Sequence, residues 1–503
     1  MTGRPAGTAS EPGPGDGRPP HPRGRLARDS LLTVGTRFGL AILILATDIV
    51  LARLLGPSAK GRFTLVLLFS QLAAVLAAWG MDAALGVIAA RGRNDARRGF
   101  ANAVIWSVVV GGLAAIVACW LYGLPTDVRP LGPLTSLIPN LSANQFLYGA
   151  LAIPGELFFA LGLFALLGRR RVAAYNGIRL LRRATLLVLI VGAAAVARLS
   201  LGVAVACNLG ALAMTALAIV LVARRDGTAS LRPSKTLLLE QLRFGTRVLP
   251  GTLAERLQFR SDAFLLNGLV GVRATGVYSV TAGLAETLWY IPNALGTVMF
   301  SRAVDPGEDA SGTAVVLSRV TVAITVALAV PAYLLGPWLV EVLYGPEFRE
   351  AGTALRWILP GIVAYSVVAV LSRYVVGRGR PGLATTANLT GLAVNIGSNL
   401  LLIPVLGITG AALSSSISYA CTAIIMLSMF RRLSGRGLGE TLILRPHDVA
   451  AAARSLRRRR APGSTAAVLA AAPADGGATT DEPEPTEAAT PRDGPASGPG
   501  NEP

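Results

Sequence analysis

The sequence predicts an all-α integral membrane protein, with about twelve spanning helices in two pseudo-symmetric six-helix bundles. Three observations lead there. Hydrophobic residues make up 52% of the chain and charged residues 15%, and the apolar residues come in blocks near the ~20-residue length that crosses a bilayer. Arginines gather on alternate connections between those blocks, as expected when short cytoplasmic loops retain Lys and Arg. A pattern in the first half of the chain returns in the second.

Residues 1–29 are crowded with Gly, Pro and Arg and lack an apolar run, so they are expected to be a disordered cytoplasmic tail with no cleavable signal peptide. Spans are expected at 30–52, 64–90, 100–122, 146–168, 178–198 and 202–223, which together make an N-terminal bundle over 30–223. A cytoplasmic linker, 224–245, leads to spans at 246–269, 276–300, 315–343, 353–375, 381–403 and 407–430, a C-terminal bundle over 246–432. Residues 433–503 hold a basic run, RSLRRRR from Arg454, and then an Ala/Pro/acid-rich stretch expected to be a disordered cytoplasmic tail.

Charge sets the orientation. With the N-terminus inside, the inner connections hold RGRNDARR (91–98), GRRR with RLLRR (168–183), the 224–243 basic residues, Arg378 with Arg380, and Arg431 with Arg432. The outer connections carry little charge: LGPSAKGR, the stretch 123–145, Arg273, GPEFRE and PVLGITG. Both termini are then cytoplasmic and the chain is a multi-pass protein of the cell membrane.

Several function classes are disfavoured. The net charge of +19 lies in topology-marking clusters, not on a basic face interleaved with aromatics, so no nucleic-acid partner is expected. Cys119, Cys207 and Cys421 fall in apolar segments without CxxC spacing and read as packing residues. The two histidines, His21 and His447, lie in the flanks, and neither HExxH nor a Walker-type phosphate loop occurs. No metal, cofactor or catalytic residue is expected, and the chain is not read as an enzyme. A membrane-embedded glycan polymerase or ligase would be expected to carry a large external loop, whereas the longest here is about twenty residues.

The repeat becomes visible on aligning TDIVLARLLGPSAKGRFTLV (Thr47 to Val66) with SDAFLLNGLVGVRATGVYSVT (Ser261 to Thr281) with a one-residue gap. Asp48 then superposes on Asp262, Gly56 on Gly271, Gly61 on Gly276 and Phe63 on Tyr278. Those segments, with VEVLYGPEFREAGTALRWILPG and LLIPVLGITGAALSSSISYA, resemble the multidrug/oligosaccharidyl-lipid/polysaccharide exporter superfamily, specifically its polysaccharide-transport branch of Wzx-type flippases. The resemblance covers about residues 30 to 432. It implies two bundles in a V around a central cavity that opens alternately to either face, and a polyprenyl-pyrophosphate-linked oligosaccharide as substrate. Membrane lipids, a polysaccharide polymerase and glycosyltransferases are the partners it suggests. The rival readings are a peptidoglycan-precursor flippase and a multidrug exporter of the same superfamily.

Ionisable side chains within spans are the candidate site residues, since an arginine at a helix centre costs ~2.5–3.5 kcal/mol on insertion scales. Arg37 in the first span and Arg247, Arg256 and Arg260 in the seventh are candidates for the headgroup phosphates, whose oxygens match the guanidinium fork. Arg256 and Arg260 share a helix face at i, i+4. Glu156, Glu286, Asp48 and Asp262 are candidates for binding a coupling proton or sodium ion, the first two because no partner is apparent in the sequence. For Asp48 and Asp262 the alternative is helix capping or pairing with arginine. Pro250 with Gly251 is the expected hinge.

Overall fold

A computed structural model describes residues 23–123, 141–304 and 309–443, which form α-helices and short connections with no strand among them. The N-lobe consists of α1 (Arg23–Ala78), α2 (Met81–Arg91), α3 (Arg93–Gly123), α4 (Ala143–Gly168), α5 (Val172–Val196) and α6 (Leu201–Arg225). The C-lobe follows with α7 (Lys235–Leu269), α8 (Val272–Thr287), α9 (Tyr290–Val304), α10 (Ala310–Tyr344), α11 (Arg349–Gly377) and α12 (Pro381–Ser434), and a short α13 (Leu438–Leu442) closes the described chain.

Two of these helices each contain two spans. In α1 the spans meet at Gly56, with φ 69° and ψ 173°, and in α12 at Gly407, with φ 57° and ψ −127°. Gly271, just before α8, has φ 121° and ψ 174°. These left-handed values suit glycine, which has no Cβ to clash. Gly56 and Gly271 are the residues the sequence repeat superposes, so both halves turn on the same break.

Helix starts and breaks depart from the sequence expectation in several places. α1 begins at Arg23, inside the segment expected to be disordered. The expected outer loop LGPSAKGR is a single-residue break, because Pro57 opens the next helix with a fixed φ and no N–H left unsatisfied. Half of the expected linker is helical, since Ser234 caps α7 by accepting the Leu237 N–H at 3.4 Å. Helix α5 begins at Val172, six residues before the expected span at 178, so the RLLRR counted with the inner connection lies well inside it.

The second span of each half, expected to be continuous, is interrupted. Trp79 (φ 51°) and Gly80 (φ 69°) separate α1 from α2. Leu288 and Trp289 separate α8 from α9, where Pro292 in the first turn cannot donate a backbone bond toward Leu288. Helix α7, by contrast, runs unbroken through Pro250 and Gly251.

Eight helices are long and apolar enough to cross a membrane on length and composition. Neither α5 nor α7 is among them, because arginines interrupt their apolar windows. These two long helices carry Arg179, Arg182 and Arg183, and Arg247, Arg256 and Arg260, respectively.

Candidate functional site

The lobes touch backbone to backbone where α1 crosses α8. A Cβ built on Gly61 would lie 2.0 Å from the Val272 carbonyl oxygen, and one on Gly276 would lie 1.9 Å from that of Pro57. The reciprocity follows from the repeat, and small residues permit such approach between membrane helices. Beside this contact the Lys60 ammonium, 2% exposed, donates to Asp48 Oδ1 at 2.8 Å and to Ser279 Oγ of the other lobe at 2.8 Å. Arg53 donates to the carbonyls of Leu343 (2.7 Å) and Val342 (2.5 Å). These are carbonyls left without intrahelical donors at the end of α10.

Toward the opposite end, the first turns of α7 lie against the N-lobe. Gln241 accepts from Asn102 Nδ2 at 3.2 Å, and Asn102 also accepts the Ser234 N–H at 3.0 Å. Trp79 Nε1 donates to Thr246 Oγ1 at 2.9 Å, and a Cβ on Gly245 would meet the Trp79 carbonyl oxygen at 2.0 Å. Gln241 and Gly245 thus mark the face of α7 that looks at the N-lobe. About three turns further along, the same face presents Arg256, and one turn beyond that Arg260. The opposite face, with Ala254, Gln258, Ser261, Asp262 and Leu265, is buried in the C-lobe.

Both expected lone glutamates have partners. Arg260 Nη1 and Nη2 reach Glu286 Oε1 and Oε2 at 2.6 and 3.1 Å, a bidentate pair whose side chains are 35% and 34% exposed. Arg182 grips Glu156 in the same way, Nη1 to Oε2 at 2.9 Å and Nη2 to Oε1, with side-chain exposures of 11% and 6%. The Arg182 guanidinium also sits 4.4 Å from the Phe159 ring centroid. Behind Arg260, the rings of Phe259, Trp289, Tyr365 and Tyr419 form a cluster with centroids 4.9–5.7 Å apart. Trp289 thereby anchors the break between α8 and α9.

Asp262 stands in a different environment from Asp48, despite their equivalence in the repeat. It is 1% exposed and accepts from neutral donors: Tyr278 Oη at 2.7 Å, Asn399 Nδ2 at 2.7 Å, and Ser415 Oγ. Asn395 Oδ1 joins the network by accepting from Ser261 Oγ at 2.7 Å and Asn399 Nδ2 at 3.0 Å. Asn399 Oδ1 and Asn395 Nδ2 are buried there without a hydrogen-bond partner. The result is an oxygen-rich hydrogen-bond network, built by α7, α8 and both spans of α12, around one carboxylate with no ion pair among the described residues. Among the described residues no group of three His, Cys, Asp or Glu could hold a metal ion.

Of the expected phosphate ligands, Arg256 and Arg260 are half-buried on the interlobe face of α7, and Arg247 is exposed nearer its start. The side chain of Arg37 lies outside the described residues. Lys60 and Arg182 are not among the expected site residues: Lys60 falls in the expected outer connection LGPSAKGR, and Arg182, although inside the expected fifth span 178–198, is counted with the inner cluster RLLRR. The signal available was the position of Arg182 within that span, and Tyr175 and Ile178, both buried in α5, show that the helix starts earlier still.

The chain matches two family models: "Polysaccharide biosynthesis protein" over residues 26–306 and "Lipid II flippase MurJ" over residues 184–449. It is 23% identical over 207 residues to an uncharacterized membrane protein of Methanocaldococcus jannaschii, covering 40% of this chain and 41% of that protein. It is 24% identical over 159 residues to a probable low-salt glycan biosynthesis flippase, Agl15, of Haloferax volcanii, covering 28% of this chain and 33% of that protein. The chain therefore spans less than half the length of these two relatives. Among solved structures it resembles an inward-facing multidrug resistance MATE family transporter (TM-score 0.61, 18% identity, 81% of this chain and 98% of the other). It also resembles the lipid II flippase MurJ in an inward closed conformation (TM-score 0.65, 13% identity, 79% and 87%). At such identities these two likenesses establish the two-lobe fold.

Proposed function

Because the chain belongs to the polysaccharide biosynthesis protein family of the multidrug/oligosaccharidyl-lipid/polysaccharide exporter superfamily, we propose that it flips a polyprenyl-pyrophosphate-linked oligosaccharide across the bacterial cytoplasmic membrane, for cell-surface or exported polysaccharide. The observation that carries this reading is the pair Arg256 and Arg260, one turn apart on the face of α7 that looks at the N-lobe. A diphosphate is a dense anion, and it would exchange for Glu286 on the Arg260 fork, with Arg256 beside it, making charge-assisted hydrogen bonds that lipid cannot. A pocket for cationic drugs would favour acids and aromatic rings in that position. Arg247 and, on the first span, Arg37 would extend the cationic path toward the side of entry.

With both termini cytoplasmic, the Gly61–Gly276 contact lies at the external end of the lobes and the start of α7 at the cytoplasmic end. The sugars would occupy the interlobe space while the polyprenyl tail stays in lipid. Polymerase and glycosyltransferase partners would supply and consume the substrate. Transport by rocking of the lobes involves no covalent step, so no catalytic residue is assigned. Bending is assigned to the interruptions at Trp79–Gly80 and Leu288–Trp289, with Pro250 and Gly251 as a further point of flexure in α7.

Among the four acids, Asp262 is assigned to energy coupling. Glu156 and Glu286 are held by arginines and Asp48 by Lys60, whereas Asp262 sits among neutral oxygens that would receive a proton or a sodium ion equally well. A second reading, translocation of a peptidoglycan lipid precursor, is supported by the MurJ family match over residues 184–449 and uses the same phosphate chemistry.

The test is leaflet translocation of a defined pyrophosphate-linked glycan by the purified protein in liposomes. Arg256→Ala with Arg260→Ala abolishes it while insertion stays normal. Full activity in that double variant rejects the assignment.

A further inference from the structure

We infer that α5 supplies a second, N-lobe half of the phosphate site, formed by Arg179 and Arg183. The inference rests on the flippase reading and adds to it residues of the other lobe.

Helix α5 has one lipid-like face. Gly177, Val188, Val191 and Ala195 are exposed and share a stripe at helical spacing, with Val188 67% and Val191 49% exposed. At 100° per residue, Arg179, Arg182 and Arg183 project roughly 140–240° from that stripe, into the protein. They lie on the side of Tyr175, Leu186 and Ile190, which are buried. Arg179 and Arg183 are nevertheless only half-buried.

Depth excludes a surface role for Arg183. It lies about eleven residues along the helix from Val172, roughly 16 Å at the α-helical rise, which is near the middle of a ~30 Å hydrocarbon core. A guanidinium there cannot reach the headgroups by stretching its stem alone. Glu156, the one carboxylate paired with Arg179, Arg182 or Arg183 among the described residues, is already gripped on both oxygens by Arg182. Three guanidiniums therefore meet one carboxylate, and the excess cations are Arg179 and Arg183. Arg179 sits 5.5 Å from the Tyr175 ring centroid, and neither residue forms an ion pair among the described residues. The cationic side of α5 thus looks away from the lipid-like stripe and into the N-lobe, where Arg182 meets Glu156 of α4.

Two arginines at i, i+4 present forks to adjacent anionic groups on one line, which is the arrangement of the two phosphates in a diphosphate ester. With α7 on one side and α5 on the other, each lobe would hold the headgroup, so the bound anion would resist parting of the lobes at that depth. The Arg182–Glu156 pair fixes the helix that carries both ligands.

The experiment uses the full-length protein in nanodiscs with farnesyl diphosphate as the probe and farnesol as the uncharged comparison. Wild type binds the diphosphate, and Arg179→Gln with Arg183→Gln weakens that binding by about tenfold or more for each arginine lost, leaving farnesol binding unchanged. The wild-type protein supplies an independent measurement that survives misfolding of the variant. Phenylglyoxal modification of Arg179 and Arg183, read by mass spectrometry, is slowed by farnesyl diphosphate and not by farnesol. If the diphosphate protects Arg256 and Arg260 but leaves Arg179 and Arg183 equally modified, this inference is overturned and the flippase reading stands. If wild type binds no diphosphate and none of the four is protected, both fall.

Discussion

Alanine at Gly276 tests whether the Gly61–Gly276 crossing holds the lobes together. The new Cβ would lie 1.9 Å from the Pro57 carbonyl oxygen, where ordinary van der Waals contact begins at 3.4 Å, so α1 and α8 must part by about 1.5 Å. Both neighbours are helix backbone, and no rotamer change relieves the clash. Overpacking of this kind costs about 1–3 kcal/mol, which converts to a shift of roughly 5- to 150-fold toward states with the lobes separated at this end. Double electron–electron resonance reads the shift directly. Spin labels on the exposed Leu54 and Leu406, with Cys119, Cys207 and Cys421 replaced by alanine, should gain a longer-distance population in Gly276→Ala. Gly397→Ala is the control, because a Cβ there meets nothing within 4 Å, and it should leave the distances unchanged. An unaltered distribution in a folded, membrane-inserted Gly276→Ala variant refutes the reasoning.

Two further outcomes follow from the buried charges. Asp262→Asn keeps the shape of the network but removes its carboxylate, so translocation in liposomes should become insensitive to proton and sodium gradients while the protein still melts cooperatively; undiminished gradient dependence would move the coupling site elsewhere. Arg182→Gln leaves Glu156 buried with its strongest donor gone and should cost about 3–5 kcal/mol, seen as a lower melting temperature in detergent. Adding Glu156→Gln should restore most of that loss, and failure to do so would mean that the pair does not act as a unit.

Much of the fold was legible because a bilayer imposes a length and a charge rule on each span. The repeat was legible for a physical reason too: Gly56 and Gly271 hold left-handed breaks, and Gly61 and Gly276 lie where a side chain cannot fit. What escaped was set by tertiary pairing. Lys60 looked like a loop residue because its burial depends on Asp48 and on Ser279 more than two hundred positions away. Glu156 and Glu286 looked solitary because their arginines stand on neighbouring helices at a separation of 26 residues, far outside local helical spacing. The interruptions beside Trp79 and Trp289 escaped because neither span has a run of helix breakers at that point, and contacts such as Trp79 with Thr246 help hold the chain there. The equivalence of Asp48 and Asp262 also misled, since only one of the two positions has a lysine within reach.

The measurement that bears most directly on the account compares two cargoes in one preparation of wild-type protein. Liposomes receive the same fluorescent oligosaccharide on a polyprenyl diphosphate and on an uncharged polyprenyl ether, and the label reaching the opposite leaflet is followed by quenching. The account predicts that the diphosphate-linked glycan crosses at a protein-dependent rate, that the uncharged one stays behind, and that free prenyl diphosphate competes. Equal rates for the two cargoes, with no competition, would contradict it.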